Sequence, residues 1–206
     1  MLFAVTSNDN CVSCGTCLPD AVIKAGTTHI ADYAFYGCSS LFSVVIPDSV
    51  VSIGESAFSG CSSLLSADIS DNVTSIGRSA FSGCSSLYWI DIPSSVLSVD
   101  AFVFSGCISL LSVDIPDNVD SIGESAFRGC SSLFYVDIPI GATTVYGFAF
   151  AGCSSLQSVD IPDGVVSIGE SAFSGCSSLL SVDLPESVRS IEDSVFSSCT
   201  ALTLDG

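Results

Sequence analysis

Apolar residues recur along this chain at a fixed interval of 23 residues. The interval is clearest in a column of cysteines, which consists of Cys38, Cys61, Cys84, Cys107, Cys130, Cys153, Cys176 and Cys199. Columns of leucine, phenylalanine and isoleucine keep the same spacing, as at Leu64, Phe58 and Ile53. A strict short period of this kind predicts one elongated domain of stacked coils, in which each coil contacts its neighbours.

Each repeat contains a segment in which apolar and polar residues alternate, as in Val113, Asp114 and Ile115. This alternation predicts a β-strand, and stacking at a constant interval sets like strands parallel and in register, about 4.8 Å apart. Proline follows the strand, as at Pro47, and ends it. A second short extended piece follows at residues 49–53, and residues 56–61 predict a single helical or 3-10 turn. The fold class is therefore a solenoid with a parallel β-sheet, short helical or 3-10 turns, and eight regular coils.

The N-terminal segment departs from the pattern. Residues 18–20 read Leu-Pro-Asp, like the strand ends of later repeats, and on that alignment about five extra residues near 23–27 loop out. We therefore predict an irregular, cysteine-containing cap over residues 1–29 and the regular solenoid over residues 30–206. The first ten residues lack the basic and long apolar stretches of a signal peptide, so none is predicted.

The repeat L-x-x-V-x-I-P-x-x-V-x-x-I-G-x-x-A-F-x-x-C runs from Ile30 to Leu202 and resembles the BspA-like leucine-rich repeat family. The resemblance implies a leucine-rich repeat solenoid without enzymatic activity. It also implies a surface or secreted adhesion protein, and hence an extracellular or cell-surface location. The family does not share one ligand site, so the resemblance assigns no functional residue.

Charge and composition exclude several classes of function. The net charge is −18, with only four basic residues, so a surface that neutralises nucleic-acid phosphates cannot be assembled. No apolar run approaches the length of a membrane span. The one histidine, His29, lies in the predicted cap and completes no Ser-His-Asp or Cys-His arrangement. We therefore predict neither nucleic-acid binding, nor membrane insertion, nor catalysis.

The cysteines fall into two groups. In-register neighbours of the cysteine column have Cβ atoms about 4.8 Å apart, beyond the usual disulfide range, so we predict small buried thiols rather than a disulfide or metal ladder. The N-terminal group is Cys11, Cys14 and Cys17. A ferredoxin motif needs a fourth cysteine where Ala21 stands, so these three are candidates for a disulfide within the cap, with a metal site or simple burial as alternatives.

An outward-facing column of aspartates follows the strands and consists of Asp68, Asp91, Asp114, Asp137, Asp160 and Asp183. Neighbouring carboxylates at about 4.8 Å repel each other by roughly 0.9 kcal/mol even in bulk water. These residues are candidates for binding Ca²⁺, the one cofactor that the sequence suggests, which takes six to eight oxygen ligands. The alternative is a solvated acidic face that keeps an apolar-rich rod in solution.

Aromatic exceptions mark alternate coils. Trp89 and Tyr135 stand where most coils carry serine. The same two coils also carry Tyr88, Phe102, Phe134, Tyr146 and Phe148. By strand alternation Trp89 points to the same face as Asp91, and Tyr135 to the same face as Asp137. The Trp89 and Tyr135 rings are two coils apart, a distance of about 10 Å. These residues are our candidate binding site for a protein or glycan, because Trp and Tyr are favoured at binding centres. Alternatively, the rings only cover neighbouring apolar edges.

The sequence therefore predicts a non-enzymatic protein that binds a protein or glycan partner. The competing prediction is a structural protein whose rods associate end to end or laterally into a filament or extracellular matrix.

Overall fold

The protein was analysed as a computed structural model, which describes residues 4–5 and 19–203. It is a parallel β-solenoid, as the repeat predicts, with about seven turns where the repeat predicts eight coils. The disulfide candidates Cys11, Cys14 and Cys17 lie outside the described residues. Each coil passes through three walls, which we call the strand wall, the second wall and the turn wall.

The strand wall contains the longer strands. A five-stranded parallel sheet holds β1 (Ala4–Val5), β2 (Asp20–Ile23), β4 (Ser43–Ile46), β6 (Ser66–Ile69) and β8 (Trp89–Ile90). A three-stranded sheet holds β10 (Tyr135–Asp137), β12 (Ser158–Asp160) and β14 (Ser181–Asp183). The isolated bridges Asp91 to Asp114 and Ser112 to Tyr135 connect the two sheets through the coil between them. Strand β4 ends directly before Pro47, as predicted.

The second wall is built from two-residue strands. One sheet holds β3 (His29–Ile30), β5 (Ser52–Ile53) and β7 (Ser75–Ile76). The other holds β9 (Ser121–Ile122), β11 (Thr144–Val145), β13 (Ser167–Ile168) and β15 (Ser190–Ile191). Val99 forms an isolated bridge to Ile122. Within residues 19–203 the strand ladder of this wall stops after β7 and resumes at Val99.

The expected loop of extra residues near 23–27 is wrong. Ala21 pairs with Val44 and His29 pairs with Ser52, so both strands keep the 23-residue register. The partner of Ile46 is thus Ile23, and the Leu-Pro-Asp match at residues 18–20 is coincidental. Hydrophobic burial sets the register, because Ile23 is 5% exposed and joins the core. The division of the chain into a cap at residues 1–29 and a solenoid at residues 30–206 stays a prediction.

The predicted helical or 3-10 turns are not supported, since no helix occurs in the part of the chain that the structure describes. At Ser56 and Gly60 the φ angles are 52° and 76°, in the left-handed region that a right-handed helix excludes. The backbone amides of this segment alternate between two kinds of hydrogen bond. One amide closes a tight turn within its own coil, and the next amide donates to a carbonyl of the following coil. Ser59 N–H donates to the Ser56 carbonyl at 3.1 Å, whereas Phe58 N–H donates to the carbonyl of Ala80 at 2.7 Å. The turn wall is therefore a third row of inter-coil hydrogen bonds.

The core runs the length of the solenoid between the three walls. Its centre is the phenylalanine column from Phe35 to Phe196, in which neighbouring rings stack with centroids 4.9 to 5.8 Å apart. Leucine, valine, isoleucine and cysteine columns surround it and are almost fully buried. No described helix has the length and apolar character that crossing a bilayer requires. Burial in this apolar core thus fixes which side chains of each strand point inward and which point outward.

Candidate functional site

The aspartate column lies on the strand wall and faces solvent along its length. The strand pairing sets Asp137 beside Asp160 and Asp160 beside Asp183, and the bridge sets Asp91 beside Asp114. In-register pairing places these carboxylates one strand spacing apart, about 4.8 Å. The coil before them carries Val45 at the same position, 58% exposed. The acidic surface therefore starts at Asp68 and continues to the end of the strand wall.

Trp89 and Tyr135 project from the same wall, and each is 43% exposed. Trp89 pairs with Ser66, and Tyr135 pairs with Ser158, so each ring stands above neighbours that are small. The Tyr135 hydroxyl donates a hydrogen bond to the carboxylate of Asp137. That hydrogen bond raises the pKa of Tyr135, since it favours the protonated phenol. Tyr135 and Asp137 therefore lie on the same face of the strand, as predicted.

A hollow of about 520 Å³ lies beside Trp89. Its lining includes Trp89 together with Asp48, Asp68, Asp71, Asp91 and Asp114. Ile69, Ile92 and Pro93 supply apolar surface at the point where the strands end. An aromatic face beside several carboxylates offers cation–π contact and charge-assisted hydrogen bonds to a positively charged group.

Phe102 and Phe148 do not lie on the strand wall. They occupy the turn wall at φ angles of 61° and 58°, in the column that holds Ser56, and both are half-buried. The Arg78 guanidinium lies 4.6 Å from the centroid of the Phe102 ring, and that of Arg128 lies 5.6 Å from the Phe148 ring. Two of the chain's four basic residues thus make cation–π contacts with these rings.

Of the other candidates, Tyr146 directly follows β11 on the second wall and is 51% exposed. Tyr88 and Phe134 are 49% and 52% exposed, and each directly precedes an aromatic residue of the strand wall. The structure therefore brings together Trp89, Tyr135, Asp91, Asp137, Tyr88 and Phe134, and separates Tyr146, Phe102 and Phe148 from them.

An exposed apolar row was missed by sequence reasoning. It holds the residue that follows each buried leucine, namely Phe42, Leu65, Tyr88, Leu111, Phe134 and Leu180, with Gln157 interrupting it. We call these six residues the apolar row. Five are 49 to 55% exposed, and Leu65 is half-buried. Only Tyr88 and Phe134, the row's aromatic members in the exceptional coils, were predicted from the sequence. The recurrence of an apolar residue after the core leucine would have indicated the whole row.

The aspartates run in a file and do not converge on a point. Within residues 19–203 no group of three or more His, Cys, Asp or Glu side chains is arranged to hold a metal ion. Ca²⁺ binding by the aspartate column stays a prediction. The sole histidine, His29, is exposed in β3, where its Nδ1 lies 2.8 Å from Thr28 Oγ1.

The cysteine column is made of free thiols with one exception, and all of its members except the half-buried Cys199 are buried. Each of the seven residues from Cys61 to Cys199 is a free thiol whose Sγ donates to a phenylalanine carbonyl of the previous coil, as in Cys130 to Phe104 at 3.2 Å. Burial raises the pKa of Cys130 and of Cys176 to about 12. The exception is Cys38, which is disulfide-bonded. Sequence spacing within the column did not identify Cys38 as different.

Known protein families and solved structures include matches to this solenoid. The sequence profile of the BspA type leucine rich repeat region matches residues 7–134 and 97–204, with six copies. A leucine-rich repeat protein from Bacteroides ovatus is 39% identical over 78% of this chain, with a TM-score of 0.76, and this chain spans 44% of its length. The leucine-rich repeat protein of T. pallidum is 30% identical over 90% of this chain and 78% of its own, with a TM-score of 0.65. No curated protein matches the chain. The profile match covers nearly every repeat, and the chain therefore belongs to the BspA-type leucine-rich repeat family.

Proposed function

We propose that this chain is a non-enzymatic binding protein of the cell surface or extracellular space, and that its strand wall contacts a protein or glycan. Leucine-rich repeat proteins generally mediate protein interactions and are typically not enzymes. The observation that carries the proposal is the exposure of Trp89 and Tyr135 on a wall where other coils present serine. Large rings held out from a rigid sheet provide contact area at little entropic cost.

The chemistry beside these rings suits polar partners. Asp91 stands beside Trp89 in the hollow, and Asp137 accepts the hydrogen bond of the Tyr135 hydroxyl. Carboxylates accept hydrogen bonds from hydroxyl, amide and ammonium groups, which glycans and proteins both supply. The disulfide at Cys38 supports an oxidising compartment, since such bonds persist mainly outside the reducing cytosol.

The test uses defined probes, a phage-displayed random peptide library and a glycan array. Ligands selected on the wild-type protein are measured again on a Trp89→Ser/Tyr135→Ser variant, which restores the serine that other coils carry. We expect affinity to fall about tenfold or more, as for aromatic binding centres. The matched control is Leu97→Ser/Val166→Ser, which removes residues of the second wall that are 60% and 43% exposed. Equal affinities for the wild-type protein and the strand-wall variant would refute the site.

A second candidate function is self-assembly into a filament or matrix, which stays a prediction. Sedimentation velocity over a wide concentration range tests it. A monomer at all concentrations would refute self-assembly and leave the binding proposal intact.

A further inference from the structure

The apolar row is continuous from Phe42 to Phe134. Leu65 N–H donates to the Phe42 carbonyl at 3.0 Å, and the same bond repeats from Tyr88 to Leu65, from Leu111 to Tyr88 and from Phe134 to Leu111 at 3.1 to 3.2 Å. Its members are therefore neighbours, one coil apart. Contiguous apolar surface that stays exposed on a folded protein marks an interaction site more often than scattered exposed residues do.

The row lies beside the aspartate column. Each of its residues precedes an aspartate or its equivalent by three positions on the same segment, as Leu111 precedes Asp114, which sets the two files roughly 10 Å apart. None of the four basic residues, Lys24, Arg78, Arg128 and Arg189, lies in the described strands of this wall. The acidic file is therefore not neutralised locally. A partner that is apolar along one stripe and basic beside it matches both files at once.

The spacing of the row distinguishes between kinds of partner backbone. Coils repeat at about 4.8 Å, whereas an α-helix returns a side chain to one face every 5.4 Å or so and an extended strand every 6.7 Å or so. Over the four intervals from Phe42 to Phe134, a helix drifts out of phase by only about 2.4 Å in total, while a strand drifts by about 7 to 8 Å. A helix of about 13 residues covers that length.

We propose that the apolar row and the aspartate column together bind a basic amphipathic α-helix of a partner protein, with the helix axis along the solenoid. The helix places apolar residues, spaced three and four apart, on the row, and its Lys or Arg side chains face the aspartates. The hollow beside Trp89 receives one of those basic side chains against the indole ring. A second copy of this chain does not fit this face, because each copy carries a net charge of −18.

This inference rests on the proposed binding function and names the partner class for the strand wall. Its test uses a synthetic lysine–leucine peptide of about 14 residues, with leucines on one helical face and lysines flanking them. Three control peptides share its length. One scrambles the order so that no helical face forms, one replaces lysine by glutamate, and one carries two central prolines that prevent the helix. Binding to the full chain is measured by isothermal titration calorimetry at low and high salt.

We expect the amphipathic peptide to bind about tenfold or more tightly than any control, and its affinity to fall as salt rises. A Tyr88→Ser/Phe134→Ser variant is expected to lose about tenfold or more, while the second-wall control Leu97→Ser/Val166→Ser loses less than about twofold. Asp114→Asn/Asp137→Asn is expected to weaken binding and flatten its salt dependence.

Two outcomes overturn the proposal. If the scrambled peptide binds as tightly as the amphipathic one, the attraction is that of bulk charge and no helix is recognised. If the row variant and the second-wall control bind alike, the row is not the docking surface. Either outcome leaves the general binding function standing, provided that ligands selected from the peptide library or the glycan array still lose affinity on Trp89→Ser/Tyr135→Ser.

Discussion

At the scale of single residues, the thiols of the core are among the most constrained groups of the molecule. Cys130 is fully buried, and its Sγ donates to the carbonyl of Phe104. The thiolate would lose both its hydration and this donated hydrogen bond, so burial holds the pKa at about 12. These cysteines therefore act as small core residues whose donor also satisfies a backbone carbonyl.

The raised thiol pKa values predict an alkaline loss of stability. The folded pKa of Cys130 and Cys176 is about 12, above the ordinary value of 9.0, so the unfolded chain releases protons first as pH rises. The thiols therefore cost nothing below about pH 8, and each lowers the free energy of unfolding by roughly 1 kcal/mol at pH 10.

Urea unfolding at pH 7 and pH 10 measures this effect. We expect Cys130→Ser, which keeps a donor but does not ionise in this range, to lose less stability between the two pH values than the wild-type protein does. An equal loss in both proteins would contradict the assignment.

At the scale of the element, the coils approach closely where glycine follows the second-wall strand. A Cβ added to Gly123 would lie 2.6 Å from the Val99 carbonyl oxygen and 2.6 Å from the carbonyl carbon of Asp100. Both atoms are backbone, so the clash cannot be relieved by turning a side chain. The column also holds Ala31, Asp100, Tyr146 and Glu192. Asp100 stands where the second-wall ladder is interrupted, whereas at Tyr146 the ladder is kept.

Gly123→Ala is therefore expected to destabilise the protein by about 1–3 kcal/mol through overpacking. The matched control is Gly147→Ala, because a Cβ there approaches no atom closer than the Glu170 carbonyl oxygen, at 3.3 Å. We expect the control to cost less than about 1 kcal/mol. Denaturant unfolding compares the two variants, and similar losses would show that inter-coil approach does not limit this column.

The elements also show what sequence can reveal. The strands are predictable because the in–out alternation of residues such as Val113, Asp114 and Ile115 is required by burial. The turn is not predictable in the same way, because Ser56 adopts a left-handed φ angle that the residue type serine does not indicate. The candidate site residues differ in the same way, according to whether they lie in a strand or in the turn. Trp89 and Tyr135 inherit their direction from strand alternation, whereas Phe102 lies in the turn, where sequence spacing does not indicate which wall a side chain joins.

At the scale of the whole molecule, charge is distributed unevenly. The chain carries 22 acidic residues against four basic ones. Two of the basic residues, Arg78 and Arg128, are engaged with phenylalanine rings of the turn wall. The aspartate column therefore repels itself along the solenoid, and that repulsion opposes folding because the unfolded chain holds its charges further apart.

Added salt is therefore expected to stabilise the protein. Raising NaCl from about 10 mM to about 500 mM shortens the Debye length from roughly 30 Å to less than 8 Å, which screens the repulsion between coils. We expect the thermal midpoint to rise with salt, and Asp114→Asn/Asp160→Asn to start from a higher midpoint and to rise less. A midpoint that is independent of salt in both proteins would show that the carboxylates do not strain the fold.

The isolated bridges around residues 111–115 carry a mechanical consequence. Strand pairing between the two sheets is reduced to the single bridges Asp91 to Asp114 and Ser112 to Tyr135, beside the inter-coil bonds of the apolar row, and the second wall is interrupted one coil earlier, between β7 and Val99. A solenoid behaves as a one-dimensional series of cooperative units, so its weakest interface decides where the series divides. Under tension along its axis, or in hydrogen exchange, we expect the rod to part here first. It would thus open as two blocks, one on each side of this joint.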